Sequence, residues 1–338
     1  MQHQTVVRVS DVSQVGEARR AASRLAEEAG LDETERGKVA IIATELGNNL
    51  LKHAGGGELL LQKVAGADAV ELLSIDAGAG MADVDRCMRD GFSTAGTAGN
   101  GLGAVRRLSS EFDLFSAPSA GTVVLSRVAR GLADAIPRRE PFQWGGVCVP
   151  APGESACGDG WGVAVVPEMM AVVVADGLGH GPLAAEASRE ALRVFFDAPF
   201  SAPKTLLESA HRAMGKTRGA AVAVARLEPP ASTLRYCGVG NISGTLLSGD
   251  ASRGLFTHNG TVGLQVRKVQ EFDYPWGEAG LLIMHSDGLQ TRWTLDRYPG
   301  LRSRHPAVVA GVLHRDFRRG RDDSTVVVLR YIRQGVRP

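Results

Sequence analysis

The sequence predicts an α+β protein of two domains. Its 338 residues, 44% hydrophobic and 22% charged, suffice for two buried cores. In both halves, stretches with helical periodicity alternate with short apolar runs typical of strands. Between them, residues 129–150 lose periodicity and contain three prolines, which is typical of a linker that runs into the first strand of a second domain. We therefore predict domains at 1–130 and 146–335, joined by a linker at 131–145.

Composition argues against several classes of protein. A net charge of +1 gives no general indication of nucleic-acid or membrane binding. The start of the chain lacks a basic and apolar leader, and no apolar run approaches the roughly 20 residues of a membrane span. The four cysteines are far apart and form no CxxC pair, which argues against a zinc site or a disulfide framework. We expect a reduced, cytoplasmic protein.

Two helices are predicted near the start of the chain. Apolar residues recur at helical spacing from Val12 to Ala29, and Gly30 suits a left-handed cap. Asp32 and Glu35 have the spacing of a capping box at the start of a second helix. On one face of that helix, Glu45 and Asn49 are four residues apart, so their side chains are neighbours. They could share a metal ion and a water, although such a pair on an exposed helix face is usually only solvated.

Glycine-rich turns follow. The runs ELLLQKV and VELLSID predict a strand pair, and the second ends in Asp76-x-Gly78-x-Gly80. Gly99-x-Gly101-Leu102-Gly103 then opens an apparent helix, where backbone N–H groups can face a phosphate. Gly121-Thr122 heads the strand TVVLSRV. A single glycine-rich loop is typical of flexible chain, but the ordered set suggests a nucleotide site.

This ordered set resembles the nucleotide-binding boxes of the GHKL ATPase/kinase superfamily, and HAGGG and DGFSTAGTAGNGLGAVRRLSSEFDL are similar to the RsbT-type switch kinases, relatives of the RsbW and SpoIIAB anti-sigma kinases. The resemblance implies a Bergerat-type α/β sandwich that binds ATP. It assigns Glu45 as general base, Asn49 to magnesium, Asp76 to the adenine amine and Thr122 to the adenine. The remaining nucleotide-binding residues that it implies are Gly78, Gly80, Gly99, Gly101, Leu102 and Gly103. Asn100 departs from the pattern, and no histidine-bearing dimerisation helix precedes the domain, which excludes an ordinary sensor histidine kinase.

The second half places acidic residues at the ends of apolar runs. AVVVADG ends in Asp176-Gly177, LLIMHSDG ends in Asp287-Gly288, and Asp322-Asp323 opens STVVVLRYI. Asp159 lies between glycines before another apolar run. Carboxylates gathered at strand ends suit magnesium or manganese, whereas Asp-Gly after a strand is also ordinary turn chemistry.

The four acidic positions, in this order, resemble the metal-dependent Ser/Thr protein phosphatase (PPM) family, in particular its SpoIIE/RsbX branch, over residues 145–332. The resemblance implies an αββα sandwich and a two-metal site that hydrolyses phosphoserine or phosphothreonine without a covalent phosphoenzyme. It carries the metal ligands onto Asp159, Asp176, Gly177 (by its carbonyl), Asp287 and Asp322, with Asp176 and Asp287 central to catalysis, and Asp323 outside the ligand set.

Three other features each allow two interpretations. Asn241 matches a position in the phosphatase resemblance where loops enclose the site, but a turn asparagine explains it as well. His180 could protonate a leaving group, yet a histidine in a glycine-rich turn is commonly just exposed. The arginines before Asp322 could hold a phosphate, although a solvated helix face is the simpler interpretation.

Together the resemblances imply a bifunctional regulator with an ATP-dependent Ser/Thr kinase domain and a metal-dependent phosphatase domain. The implied substrates are STAS-domain proteins in partner-switching control of sigma factors or of stress signalling, including stressosome-like complexes. The alternative is an active phosphatase whose N-terminal domain binds nucleotide only for sequestration or sensing. A scaffold with two degenerate sites is disfavoured because every metal-site carboxylate is present.

Overall fold

A computed structural model describes residues 4–64, 66–88, 101–131, 141–249, 251–277 and 280–332. Its helices are α1 (Val12–Glu28), α2 (Glu33–Ala54), α3 (Val84–Cys87), α4 (Gly101–Leu108), α5 (Pro182–Asp197), α6 (Pro203–Ala213) and α7 (Pro306–Phe317). Its strands are β1 (Thr5–Val9), β2 (Gly57–Lys63), β3 (Ala69–Asp76), β4 (Glu111–Ser116), β5 (Thr122–Ala129), β6 (Phe142–Val149), β7 (Asp159–Val166), β8 (Met169–Gly177), β9 (Ala220–Glu228), β10 (Thr233–Val239), β11 (Ser243–Ser248), β12 (Ala251–Leu255), β13 (Gly260–Thr261), β14 (Gln265–Val266), β15 (Phe272–Pro275), β16 (Leu281–His285) and β17 (Ser324–Tyr331).

The chain divides into two compact units, so the prediction of a two-domain α+β protein is confirmed. The first unit contains residues 2–138 together with 295–315, and the second contains 139–294 and 316–338. Within the described residues, no helix is long and apolar enough to cross a bilayer.

The first unit is an antiparallel five-stranded sheet in the order β1-β2-β3-β5-β4. The helices form where the sequence predicts them. Asp11 and Gln14 make a capping box at α1, and Asp32 and Glu35 make another at α2. Gly55 ends α2 in the left-handed conformation that glycine adopts without steric cost. The buried residues of both helices pack on one face of the sheet.

The opposite face of this sheet is covered by the segment 295–315, which includes most of α7. Gly311 lies so close to the sheet that a Cβ atom there would be 2.8 Å from Val123 Cγ1. Asp113 accepts a hydrogen bond from the His305 backbone N–H at 2.6 Å. Tyr298 makes an edge-on ring contact with Phe115. The predicted boundaries place residues 295–315 in the second domain, whereas they pack here with the first sheet.

The second unit contains two five-stranded antiparallel sheets, in the orders β15-β10-β9-β8-β7 and β12-β11-β16-β17-β6. Buried side chains from both sheets, among them Trp161, Tyr236 and Met284, form the core between them. Helices α5 and α6 pack on the outer face of the sheet that contains β8. This packing presents the starts of β7 and β17 and the ends of β8 and β16 at one edge, where the predicted carboxylates lie.

Candidate nucleotide pocket and metal centre

Asp76 is the last residue of β3, and the cross-strand partner of its backbone is Thr122 at the start of β5. A single carboxylate oxygen, Oδ1, accepts hydrogen bonds from the backbone N–H groups of Gly78 (2.8 Å) and Thr122 (3.1 Å). Burial raises the pKa of Asp76, and these two hydrogen bonds oppose the rise. The backbone therefore fixes the orientation of the carboxyl group, and its second oxygen, Oδ2, lies outside both bonds.

The glycines that follow Asp76 allow two chain segments to approach closely. A Cβ atom on Gly78 would be 2.8 Å from Cα of Ala54, near the end of α2. Gly80 has a φ of 67°, and a Cβ there would overlap the carbonyl oxygen of Ala117. The spacing Asp76-x-Gly78-x-Gly80 thus has a steric reason at each glycine.

Helix α2 brings Glu45 and Asn49 to the start of α4. A Cβ atom on Gly101 would lie 2.7 Å from Oε2 of Glu45 and 3.6 Å from Oδ1 of Asn49. Leu102 and Gly103 continue α4 from that point. Gly99 and Asn100 of the predicted phosphate loop lie outside the described residues.

A cavity of about 450 Å³ opens between these elements. Asn49, Asp76, Gly80, Leu102 and Thr122 line it together with Gly101. Its walls also include residues that the sequence analysis did not identify, namely His53, Ser74, Met81, Asp83, Arg86 and Cys87. Residues 81–87 contain no recognisable motif. Only their position just after Gly78 and Gly80 could have indicated that they line the cavity. The cavity brings most of the predicted nucleotide-binding residues to one place.

Asp159 and Asp176 lie opposite each other on neighbouring strands, because β7 and β8 pair in a register that aligns these two residues. Asp159 is buried, and its Oδ2 accepts a hydrogen bond from Ser286 Oγ at 2.6 Å. Burial raises the pKa of Asp159 to about 7. Burial, followed by repulsion from Asp159, Asp287 and Asp322, raises the pKa of Asp176 to about 9.

Asp287 follows Ser286 in the chain, just past the end of β16. Its Oδ2 accepts a hydrogen bond from Asn241 Nδ2 at 2.8 Å. Burial and then repulsion from Asp322 raise the pKa of Asp287, whereas Arg319 and Asn241 oppose the rise. The turn interpretation of Asn241 gave its side chain no role, but the structure places its amide on a predicted metal ligand.

The pair Asp322-Asp323 precedes β17. The carboxylate of Asp323 accepts backbone hydrogen bonds from Ala151 (2.8 Å) and Gly158 (2.9 Å), so it ties together the two ends of the loop between β6 and β7, just before Asp159. A Cβ atom on Gly288 would overlap the backbone of Asp323. The glycine after Asp287 therefore has a packing role beyond its place in a turn.

These carboxylates suit hydrated divalent ions better than a closed metal cage. Within the described part of the chain, no three His, Cys, Asp or Glu side chains converge as a ready-made metal site. Mg²⁺ usually keeps several waters and takes only one or two carboxylates from the protein. Asp159 and Asp176 supply such a pair, and burial and mutual repulsion raise their pKa values, an effect that a bound cation would oppose. The residues present therefore fit an oxygen-liganded divalent ion.

Two flanking side chains complete the description of the sites. His180 is 60% exposed, and its Nδ1 lies 2.6 Å from Oε1 of Glu154, so the loop histidine has a carboxylate partner. Arg315 belongs to the first unit and donates a 3.4 Å hydrogen bond from Nη1 to the backbone oxygen of Asp76. A solvated helix face, the simpler interpretation of this arginine from the sequence, does not account for that contact.

Comparison with known proteins relates the two parts of the chain to different families. The family model for the histidine kinase-like ATPase domain matches residues 9–127, and that for stage II sporulation protein E (SpoIIE) matches residues 167–332. The serine/threonine-protein kinase RsbT of Bacillus subtilis (strain 168) is 32% identical over 126 residues, which are 37% of this chain and 95% of RsbT. The phosphoserine phosphatase RsbX of the same organism is 27% identical over 139 residues, which are 40% of this chain and 69% of RsbX.

Among solved structures, one from work on the bacterial stressosome, a modular system adapted to control secondary messenger signalling, has a TM-score of 0.53 and 26% sequence identity. It covers 56% of this chain and 99% of its own.

Proposed function

We propose a function from one premise: the N-terminal part of the chain belongs to the RsbT-like family of histidine kinase-like ATPase domains and is joined to a SpoIIE-type phosphatase domain. The chain adds phosphate to serine or threonine residues of STAS-domain proteins and removes it from them. The observation that carries the proposal is the presence, in one chain, of a cavity lined by most of the predicted nucleotide-binding residues and of a group of buried, mutually repelling carboxylates in the other unit. Opposed activities in one polypeptide suit control of a phosphorylation level.

In the kinase reaction, Asp76 would accept a hydrogen bond from the adenine amine through Oδ2, because its Oδ1 is already occupied by two backbone donors. Asn49 would hold the magnesium that accompanies ATP, and its position against Gly101 supports this role. Glu45, beside the same glycine, would accept the proton of the substrate hydroxyl. Gly99, Gly101 and Gly103 would offer backbone N–H groups to the phosphates.

In the phosphatase reaction, Asp159, Asp176, the Gly177 carbonyl, Asp287 and Asp322 would hold magnesium or manganese. Such ions supply a low-pKa water as the nucleophile and neutralise charge on the phosphoryl group. Ser286 and Asn241 position Asp159 and Asp287 by the hydrogen bonds described above. The Asp323 carboxylate fixes the surrounding loops and, being bonded to two backbone N–H groups, acts outside the ligand set.

STAS-domain proteins are proposed as substrates because the chain resembles both RsbT and RsbX, and the same likeness supports a place in partner switching in the cytoplasm. The test is incubation of the full chain with γ-labelled ATP, magnesium or manganese, and the STAS-domain proteins of the same genome. We expect label to accumulate on one STAS protein with Asp176→Asn, to turn over with the wild type, and to be absent with Asn49→Ala.

Absence of label with both the wild type and Asp176→Asn would contradict the kinase assignment and favour a nucleotide-binding module that senses or sequesters. If the wild type and Asp176→Asn kept equal amounts of label, the phosphatase assignment for that substrate would be wrong.

A further inference from the structure

A small hairpin lies next to β9, the strand that pairs with Asp176 and Gly177 of β8. These two residues pair with Ala221 and Ala220 of β9. Ala220 in turn exchanges two backbone hydrogen bonds with Val262, of 3.0 and 2.8 Å. The hairpin formed by β13 and β14 therefore extends the surface beside the candidate metal ligands.

Two leucines lie exposed on this surface. The backbone N–H of Leu178 donates to the carbonyl oxygen of Gly219 at 3.0 Å. Gly219 has a φ of 75°, and a Cβ atom there would be 3.0 Å from Cγ of Leu264 in the hairpin. Leu178 is 55% exposed and Leu264 is 54% exposed. Leu178, the residue after Gly177, and Leu264 thus both lie next to Gly219.

A cationic side chain borders the same surface. Arg218 precedes Gly219 and is exposed, and its Nη1 would lie 3.4 Å from a Cβ atom on Gly179. Among the described residues, no salt bridge involves this guanidinium group. It can therefore pair with a phosphate or carboxylate that enters from solvent.

The neighbouring centre determines what this surface can receive. A phosphoryl group held by ions at Asp176 and Gly177 would place the residues on either side of it next to Leu178 and Leu264. A small phosphomonoester has no apolar groups that could bury the two leucines. In a phosphorylated protein, apolar side chains beside the phosphorylated residue would bury both leucines away from water, which is favourable. Arg218 would face the negative charge that such a substrate carries.

We propose that Leu178, Leu264 and Arg218 form a docking rim that selects protein substrates whose phosphoserine or phosphothreonine has apolar neighbours. The proposal rests on the proposed phosphatase function of this unit. The docking rim determines which phosphorylated substrates are preferred, and the carboxylates determine the hydrolysis reaction.

The test uses the full chain with manganese and three substrates: para-nitrophenyl phosphate, a phosphoserine peptide with leucine and valine neighbours, and a matched peptide with serine and glycine neighbours. The measured quantity is the ratio of kcat/KM between the two peptides, which does not depend on the absolute activity of the metal centre. The variants are Leu178→Ala combined with Leu264→Ala, and Arg218→Gln. Phe256→Ala is the matched control, because Phe256 is 53% exposed in the same unit and lies outside the rim.

We expect the wild type and Phe256→Ala to prefer the apolar peptide by about tenfold, a ratio that corresponds to partial burial of the leucines. The double leucine variant should lower the ratio to about one, and Arg218→Gln should lower kcat/KM for both peptides. A wild-type ratio near one, or a preference that survives in the double variant, would overturn the rim. An unchanged kcat/KM with Arg218→Gln would contradict the part given to that residue. Failure of the phosphatase function is a different result, namely no hydrolysis of any of the three substrates.

Discussion

The two candidate sites hold their carboxylates in opposite ways. Asp76 is a single acid whose Oδ1 is fixed by two backbone N–H groups, and glycines bring the chain close around it. In the second unit, burial and then repulsion from Asp159, Asp287 and Asp322 raise the pKa of Asp176 to about 9. The first site is organised by the backbone, whereas the acids of the second site ionise readily only when a cation binds. Substitutions and solution conditions should therefore affect the two sites differently.

The largest effect is expected from Asp176→Asn. The change keeps the shape of the side chain but removes the charge that would bind the ions. Loss of an outer partner of a metal ligand costs roughly 10- to 100-fold in activity, so loss of a ligand should exceed that. Hydrolysis of para-nitrophenyl phosphate with manganese measures the effect, and ATP binding should stay at the wild-type value. Equal loss of both functions would contradict the separation of the sites.

A smaller and opposite result is expected from Asp76→Asn. Oδ1 of the asparagine can still accept from Gly78 and Thr122, but an NH₂ group replaces the acceptor that we assign to adenine. A mismatched buried donor corresponds to a loss of about 10- to 100-fold in ATP affinity. Calorimetric titration with ATP and GTP measures this loss, with hydrolysis of para-nitrophenyl phosphate as the control that should not change. Unchanged ATP affinity would show that Asp76 does not contact the base.

Asn241→Ala tests how far the second site depends on side-chain positioning. The Asn241 amide donates a hydrogen bond to Oδ2 of Asp287 and opposes the rise in the pKa of this carboxyl group. Its removal should weaken manganese binding by about tenfold, with a smaller effect at saturating metal. The concentration of manganese that gives half-maximal hydrolysis reports this change. If that concentration stays the same while the maximal rate falls, Asn241 acts on the substrate instead.

The smallest effect expected is on stability without metal. Burial raises the folded-state pKa of Asp159 to about 7 and that of Asp176 to about 9, above the roughly 3.9 of an unfolded aspartate. The folded chain therefore binds more protons than the unfolded chain, and its stability should fall as pH rises from about 4 through these folded-state values. Urea unfolding in a chelator at pH 5.5, 7 and 9 should show this trend, which Asp176→Asn should reduce. Stability that rises with pH in the chelator would contradict the raised pKa values of these two acids.

The sequence was a good guide where local rules decide the structure. Capping residues placed α1 and α2, and the Asp-Gly signals placed Asp176 and Asp287 at the ends of strands. It failed where the reason is long-range packing. Nothing local shows that residues 295–315 cover the first sheet, since the close approach of Gly311 to Val123 joins positions that are far apart in the chain. The sequence left Asn241 between a site position and a turn for the same reason, because its partner Asp287 is 46 residues away.

Manganese titration of the full chain at pH 8, repeated in two buffers of different ionisation enthalpy, tests the central claim most directly. It counts the protons released when the ions bind. Because the pKa of Asp176 is raised to about 9 in the metal-free fold, we predict release of about one proton per chain, and loss of that release with Asp176→Asn. Binding without proton release, or the same release from Asp176→Asn, would contradict a site held together by cations at these carboxylates.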